Sequence, residues 1–347
     1  MYWNVAAPFI DKTNLEQESW LTPYVPGSRH KFHIVPRQKP LPKWHDRKSN
    51  VTDFREWLVY WQHGMEALKT NQVGVITVFP QLPAVVGMQR RLTGKQMPIV
   101  AWLFSVGNCY DGMRRSLAQA SLKDIDCFIV HTWREWELYQ EWLGIPEDRI
   151  EFVPFHENEQ NLPVLYSENR TQPFITALGS AHRDFPTLFK AVEKLQLPTI
   201  VASGKRALEG LVIPSNVKAP LGISKADCLR LAQEARINIV PLLPKSDVTA
   251  AGLVTIVEAM HMGRVVIASR CMGAEDYIKH GETGILVEPQ SVDDLVQAIE
   301  MLWNNTELRN RLGKAAQNYA KENFSCEAAG RNLAKVLDKV ADRVGMY

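Results

Sequence analysis

The chain alternates short apolar runs with longer stretches in which apolar residues recur every three or four positions. That alternation predicts strands of a parallel sheet joined by amphipathic helices. Residues 31–35, 73–79, 98–104, 125–131 and 150–154 read as strands, and 53–69, 114–121 and 133–143 as helices. Thr52 or Asp53 is placed to cap the first helix and Gly144 to close the last. The rest of the first sixty residues reads as irregular, rich in Pro, Trp and basic side chains. Residues 157–172 are polar without a clear period and read as a linker. The alternation then restarts, with strands at 174–178, 199–202, 237–242, 265–269 and 284–287 and helices at 185–195, 226–235, 255–262, 291–303, 307–322 and 326–340. Ser291 caps its helix, with Asp293 and Asp294 in the first turn. The expected fold class is α/β: two Rossmann-like βαβ domains, 1–157 and 173–325, followed by a helical segment, 326–347.

A length of 347 residues suits two domains of ordinary size. A net charge of +2 favours no polyanionic partner in bulk, but its distribution is uneven. Residues 29–48 hold seven Lys or Arg, three His and one acid, Asp46. This stretch fits a peripheral dock on an anionic membrane, a grip on an anionic glycan, or a solvated loop around Phe32 and Trp44. Nucleic acid is the least expected partner. Nine of the ten Trp precede residue 143, so the two halves are expected to do different work. Five scattered Cys without a CxxC fit neither a disulfide framework nor a zinc site, and no metal site is expected. With no signal-peptide pattern and no apolar run near the ~20 residues of a membrane span, the expected setting is cytoplasmic, with any membrane role peripheral.

The densest chemical signal is the run Ala250-Ala251-Gly252-Leu253-Val254-Thr255-Ile256-Val257-Glu258-Ala259-Met260, followed by Gly263 and an apolar strand. Small residues leave the backbone uncovered before a helix start, and Gly263 stops the helix. A helix N-terminus of this kind offers N–H groups and positive dipole to a diphosphate, with Glu258 about one turn further on. An ordinary αβ unit with a solvated Glu fits the same pattern.

This run resembles the donor-nucleotide motif of GT-B fold retaining glycosyltransferases, specifically glycosyltransferase family 4 (glycosyl transferases group 1). The resemblance covers nearly all of residues 174–325. It implies two domains facing a cleft and a last helix that crosses back to the N-terminal domain. It also implies a UDP- or GDP-linked sugar as substrate, with no further cofactor and no essential metal. In the family two Glu stand eight positions apart, the second binding the ribose hydroxyls. Glu258 matches the second, while Ala250 occupies the place of the first, where Asp247 is a possible substitute. Gly179-Ser180-Ala181-His182-Arg183-Asp184 resembles the family's glycine loop, which brings an Arg to the diphosphate, here Arg183. Lys205, with Arg206 beside it, approximates the phosphate-binding Lys. The donor-binding candidates are therefore Gly179, Ser180, Arg183, Lys205, Arg206, Ala251, Gly252, Leu253, Val254, Thr255 and Glu258, with Glu275 a weaker one. Residues 281–287 resemble a structural turn of the family.

The acceptor side is less defined, because the family's N-domain His-Asp is missing. Gln81, Ser105, Asn108 and His131 lie at predicted strand ends and are the acceptor-side candidates, with Arg183, Lys205 and Asn108 the catalytic ones; His156 opens the linker. The implied reaction moves a hexose to a glycan or lipid-linked hydroxyl with retention, in polysaccharide, glycolipid or cell-envelope glycan synthesis. A nucleotide-sugar epimerase or hydrolase on the same fold, or a catalytically weak nucleotide-sugar-binding protein, are the alternatives.

Overall fold

The computed structural model describes residues 1–15, 20–42, 52–69 and 73–345. These form two units, Met1–Val153 with Ala329–Tyr347, and Pro154–Ala328.

Unit 1 opens on β1 (Tyr2–Ala6), a strand that the sequence reading left in an irregular segment. It is an inner strand, paired in parallel with β2 (Lys31–Ile34) on one side and β3 (Val73–Val78) on the other. Asn4 interrupts its apolar run and masks it. The side chain is nevertheless buried, because its amide donates to the Ala67 carbonyl at 2.7 Å. Helix α1 (Phe54–Ala67) follows β2 and starts on a capping box, Asp53 and Glu56 exchanging hydrogen bonds with each other's backbone N–H. After β3 comes α2 (Gln81–Thr93), a helix the sequence reading also missed. Pro83 and Gly87 weaken its helical pattern, and Gly87 is needed because a Cβ there would meet the Ser121 carbonyl at 2.5 Å. The unit continues through β4 (Ile99–Trp102), α3 (Met113–Leu122), β5 (Cys127–Val130), α4 (Trp133–Leu143) and β6 (Ile150–Phe152). All six strands are parallel, in the order β2-β1-β3-β4-β5-β6.

Unit 2 begins in a segment whose one short helical turn is Glu159–Asn161. It then runs through β7 (Ile175–Leu178), α5 (Phe185–Leu195), β8 (Thr199–Ala202), a short α6 (Lys205–Leu208), β9 (Val217–Lys218) and α7 (Lys225–Glu234). There follow β10 (Ile237–Val240), α8 (Leu253–His261), β11 (Val266–Ser269), β12 (Ile285–Val287), α9 (Val292–Trp303) and α10 (Thr306–Asn323). The six parallel strands are ordered β12-β11-β10-β7-β8-β9. Ile237, Ile239 and Ile267 pack into one core with α5 and α9, whereas Val240, Val266 and Ala268 pack into a second with α8 and α10. Alternation along a strand thus feeds two cores, as a parallel sheet covered on both faces requires.

The last helix, α11 (Cys326–Arg343), contributes most of its length to unit 1. Asp338 and Asp342 pair with Arg29, and Asp338 also meets His30 Nε2 at 3.0 Å. His30 Nδ1 accepts from the indole of the buried Trp3 at 3.0 Å, so the α11 carboxylates are linked through His30 to β1. Arg37 is buried and spent on Asp11 and the Pro8 carbonyl. Two of the seven basic residues in 29–48 therefore serve the fold. Residues 43–48, including Trp44, lie outside the described residues.

Candidate functional site

In unit 2 the chain leaves β7 toward β8 and β9 but leaves β10 toward β11 and β12, so the strand order reverses between β7 and β10. Open α/β sheets bind ligands beyond the strand C-termini at such a reversal. The sequence candidates meet there. Gly179 follows β7 with φ +94°, and a Cβ on it would lie 2.6 Å from the Arg183 guanidinium. Only Gly gives both that backbone angle and that space. Arg183 folds back over it, donating from Nε to the Leu178 carbonyl at 3.1 Å and from Nη1 to the Ala181 carbonyl at 2.8 Å. Nη2 reaches Thr255 Oγ1 at 3.3 Å, joining the glycine loop to the first turn of α8. Burial lowers the Arg183 pKa to about 10, so the group stays charged at neutral pH.

Ser180 Oγ accepts from the Gly204 N–H at 2.6 Å and from the Ser203 hydroxyl at 3.1 Å, which ties the β7 loop to the β8 loop. Lys205 and Arg206 are exposed in the first turn of α6. The backbone of Asp184 donates to the Pro241 carbonyl, and Leu243 donates to that of His182. Three strand ends are thereby fastened together.

Helix α8 begins after Gly252, whose φ of +81° turns the chain into the helix and which brings no side-chain cap. Ala251 is buried, its N–H bonded to the Met272 carbonyl at 3.2 Å. Leu253, Val254 and Thr255 form the first turn, where uncapped amides favour an anion. Glu258 is buried and accepts a close hydrogen bond from the exposed Lys225, first residue of α7. Glu157 belongs to the same cluster: burial, then the Glu258 charge, raises its carboxyl to about 7, with Lys225 opposing. Sequence reasoning missed Lys225 and Glu157, which reach Glu258 from other segments and carry no local motif. Ala250 is half-buried, Asp247 is exposed, and Glu275 is exposed on the helical turn Ala274–Asp276. Burial, then Lys245 and Arg183, pushes the His182 imidazole down, with Asp247 opposing. No group of three or more His, Cys, Asp or Glu among the described residues is arranged to hold a metal ion.

The acceptor-side candidates lie in unit 1. Gln81 follows the end of β3, as expected, and also opens α2, donating to Thr52 Oγ1 at 3.3 Å. Ser105 is half-buried and Asn108 exposed in the loop after β4. That loop is pinned where the Val106 N–H meets the Tyr139 hydroxyl at 2.8 Å. His131 is only 2 % exposed, bonded through Nδ1 to the Val153 carbonyl at 2.6 Å and packed against Trp102. Burial drives its pKa down to about 4, so it is a neutral brace at the end of β5 with almost no solvent-facing surface. His156 is half-buried in unit 2 beside Phe155. Phe79 and Leu103, after β3 and β4, hold φ of +69° and +51°, a strained backbone of the sort found at functional sites. No helix among the described residues is long and apolar enough to cross a membrane.

Comparison with known proteins adds similarities to glycosyltransferases. Residues 203–319 match Glycosyl transferases group 1. An uncharacterized glycosyltransferase of Methanocaldococcus jannaschii is 35% identical over 192 residues, 55% of this chain and 51% of that protein. The alpha-D-kanosaminyltransferase of Streptomyces kanamyceticus is 32% identical over 87 residues, 25% of this chain and 22% of the relative. The chain thus spans about half or less of the curated relatives it matches. Among solved structures, a sucrose-phosphate synthase from Thermosynechococcus elongatus superposes with a TM-score of 0.71 at 18% identity, over 99% of both chains. Anabaena HepE in complex with UDP-glucose gives 0.67 at 13% identity, over 97% of this chain and 99% of that one. With its two parallel six-stranded sheets the chain has the GT-B fold, and within it residues 203–319 are similar to the glycosyl transferases of group 1.

Proposed function

We propose that the protein is a retaining glycosyltransferase of family 4 that moves a hexose from a UDP- or GDP-sugar to an acceptor hydroxyl. The observation that carries this reading is the union, at the β7/β10 reversal, of the Arg183 loop with the uncapped start of α8, with Glu258 buried further along the same helix. The diphosphate lies against the Leu253, Val254 and Thr255 amides, with Arg183 and Lys205 meeting the charge that builds as it leaves, in place of a metal ion. Glu258 takes the ribose hydroxyls. The acceptor hydroxyl attacks the anomeric carbon on the face the diphosphate leaves, and a donor phosphate oxygen takes its proton. Asn108 and Ser105, on an accessible loop of unit 1, are candidates to hold the acceptor.

A glycan or lipid-linked acceptor, made in the cytoplasm for polysaccharide, glycolipid or cell-envelope synthesis, fits this chemistry. Residues 29–48 would supply any peripheral membrane contact. A second reading, nucleotide-sugar binding with weak catalysis, is favoured by Ala250, which offers the donor sugar no carboxylate.

A donor panel tests the assignment. UDP-, GDP- and ADP-sugars are titrated by calorimetry into wild type and Glu258→Ala. One donor is expected to bind selectively and to weaken roughly tenfold to a hundredfold in the variant, as for a lost charged hydrogen bond. Folded protein that binds no donor sinks the reading, and binding without sugar transfer to any acceptor selects the second.

A further inference from the structure

Unit 2 has a second concavity, of about 340 Å3, at the opposite end of α8 from the Arg183 loop. Nine helical residues, roughly 13 Å of rise, separate the two ends. Its lining includes His261, the last residue of α8, and Gln317 of α10. The His261 side chain is buried, and its Nε2 lies 3.1 Å from the Phe324 carbonyl. A carbonyl only accepts, so Nε2 carries the proton and Nδ1 presents a lone pair. Burial favours this neutral form, with the Phe324 carbonyl and Glu159 opposing. Nδ1 lies 3.6 Å from Glu159 Oε1, so two acceptors sit side by side.

Donors line the same groove. Gln317 donates to the His261 carbonyl at 3.2 Å and accepts from Lys314 Nζ at 3.1 Å, which fixes its amide. Asn318 and Lys321 continue along α10, and Leu162 and Val164 add a small apolar surface. A bare anion would face the Glu159 carboxylate and the imidazole lone pair, and a bare cation would face two ammonium groups. A molecule with neighbouring hydroxyls and a separate negative group suits both the acceptors and the donors. One hydroxyl donates to Nδ1 and the next to Glu159, the acidic group meets the lysines, and a C–H face lies on Leu162 and Val164. The volume is that of a small-molecule site.

We propose that this groove binds an acidic saccharide, at a site separate from the one assigned to the nucleotide. The inference stands on the groove alone and does not require the transferase reading.

The test uses the full chain at pH 7.5, titrated with glucuronate, glucose and acetate, with and without saturating UDP. Glucuronate is expected to bind at least tenfold more tightly than glucose or acetate, and UDP to leave that affinity unchanged. Lys321→Ala and Asn318→Ala, both at exposed positions, are each expected to weaken it, the lysine change by about tenfold. Glu159→Gln should remove the preference for hydroxyl-bearing ligands. Acetate binding as well as glucuronate reduces the groove to a simple anion contact and overturns the proposal. So does competition by UDP, affinity unchanged in all three variants, or no glucuronate binding.

Discussion

Gly179 carries both a backbone and a steric constraint, and a single methyl tests both. At φ +94°, with the Arg183 guanidinium 2.6 Å from a would-be Cβ, Gly179→Ala is expected to cost about 1–3 kcal/mol and to displace Arg183. Urea unfolding reads the first effect and nucleotide affinity the second; a variant unchanged in both refutes the account. Glu157 makes a separate expectation in pH. Its folded pKa of about 7 lies above the ordinary 4.5, so the folded chain keeps a proton that the unfolded chain releases. The linked stability is fully present below about pH 4.5 and is lost as pH rises through about 7. Glu157→Gln removes that slope, and the variant should exceed wild type by roughly 1–3 kcal/mol at pH 8 while staying near parity at pH 4. Parallel pH slopes for the two proteins would count against it. The sequence exposed Gly179, Arg183 and Glu258 because loop and helix motifs are local. Lys225 and Glu157 were not legible, since only the fold brings 157, 225 and 258 together.

Among the elements, those of unit 2 were the most legible. Residues 185–195 and 199–202 were read with the bounds of α5 and β8, because their apolar periods are unbroken and Asp184, Pro198 and Ser203-Gly204 punctuate them. In contrast, β1 escaped detection because a buried Asn looks like a surface residue until its partner, the Ala67 carbonyl, is known. Helix α11 was legible as a helix, but its packing was not. Gly330 approaches Tyr24 so closely that a Cβ would sit 2.2 Å from the Tyr24 carbonyl oxygen. In an isolated helix Gly→Ala stabilises by about 1 kcal/mol. Here overpacking should reverse the sign, and Gly330→Ala is expected to destabilise unit 1 by about 1–3 kcal/mol, checked by chemical denaturation. A stabilised variant would mean that α11 moves freely enough to absorb the methyl.

For the molecule as a whole, the chain builds unit 1, then unit 2, and gives most of its last helix to unit 1. Ending the chain at Ser325 removes every α11 partner of Arg29 and His30 while leaving both cores of unit 2 almost complete. The shortened protein is expected to lose structure in unit 1 and to retain protease-resistant unit 2; uniform digestion would contradict this. The uneven placement of tryptophan offers a way to see it happen. Trp303 is the only indole in the sequence of unit 2, lying under the Arg236 guanidinium at 4.7 Å, and the other nine precede residue 143. The protein's ultraviolet emission is therefore almost wholly a signal from one half. With the nine others replaced by phenylalanine in a variant that still folds, Trp303 becomes a built-in optical reporter of the half that holds the proposed donor site.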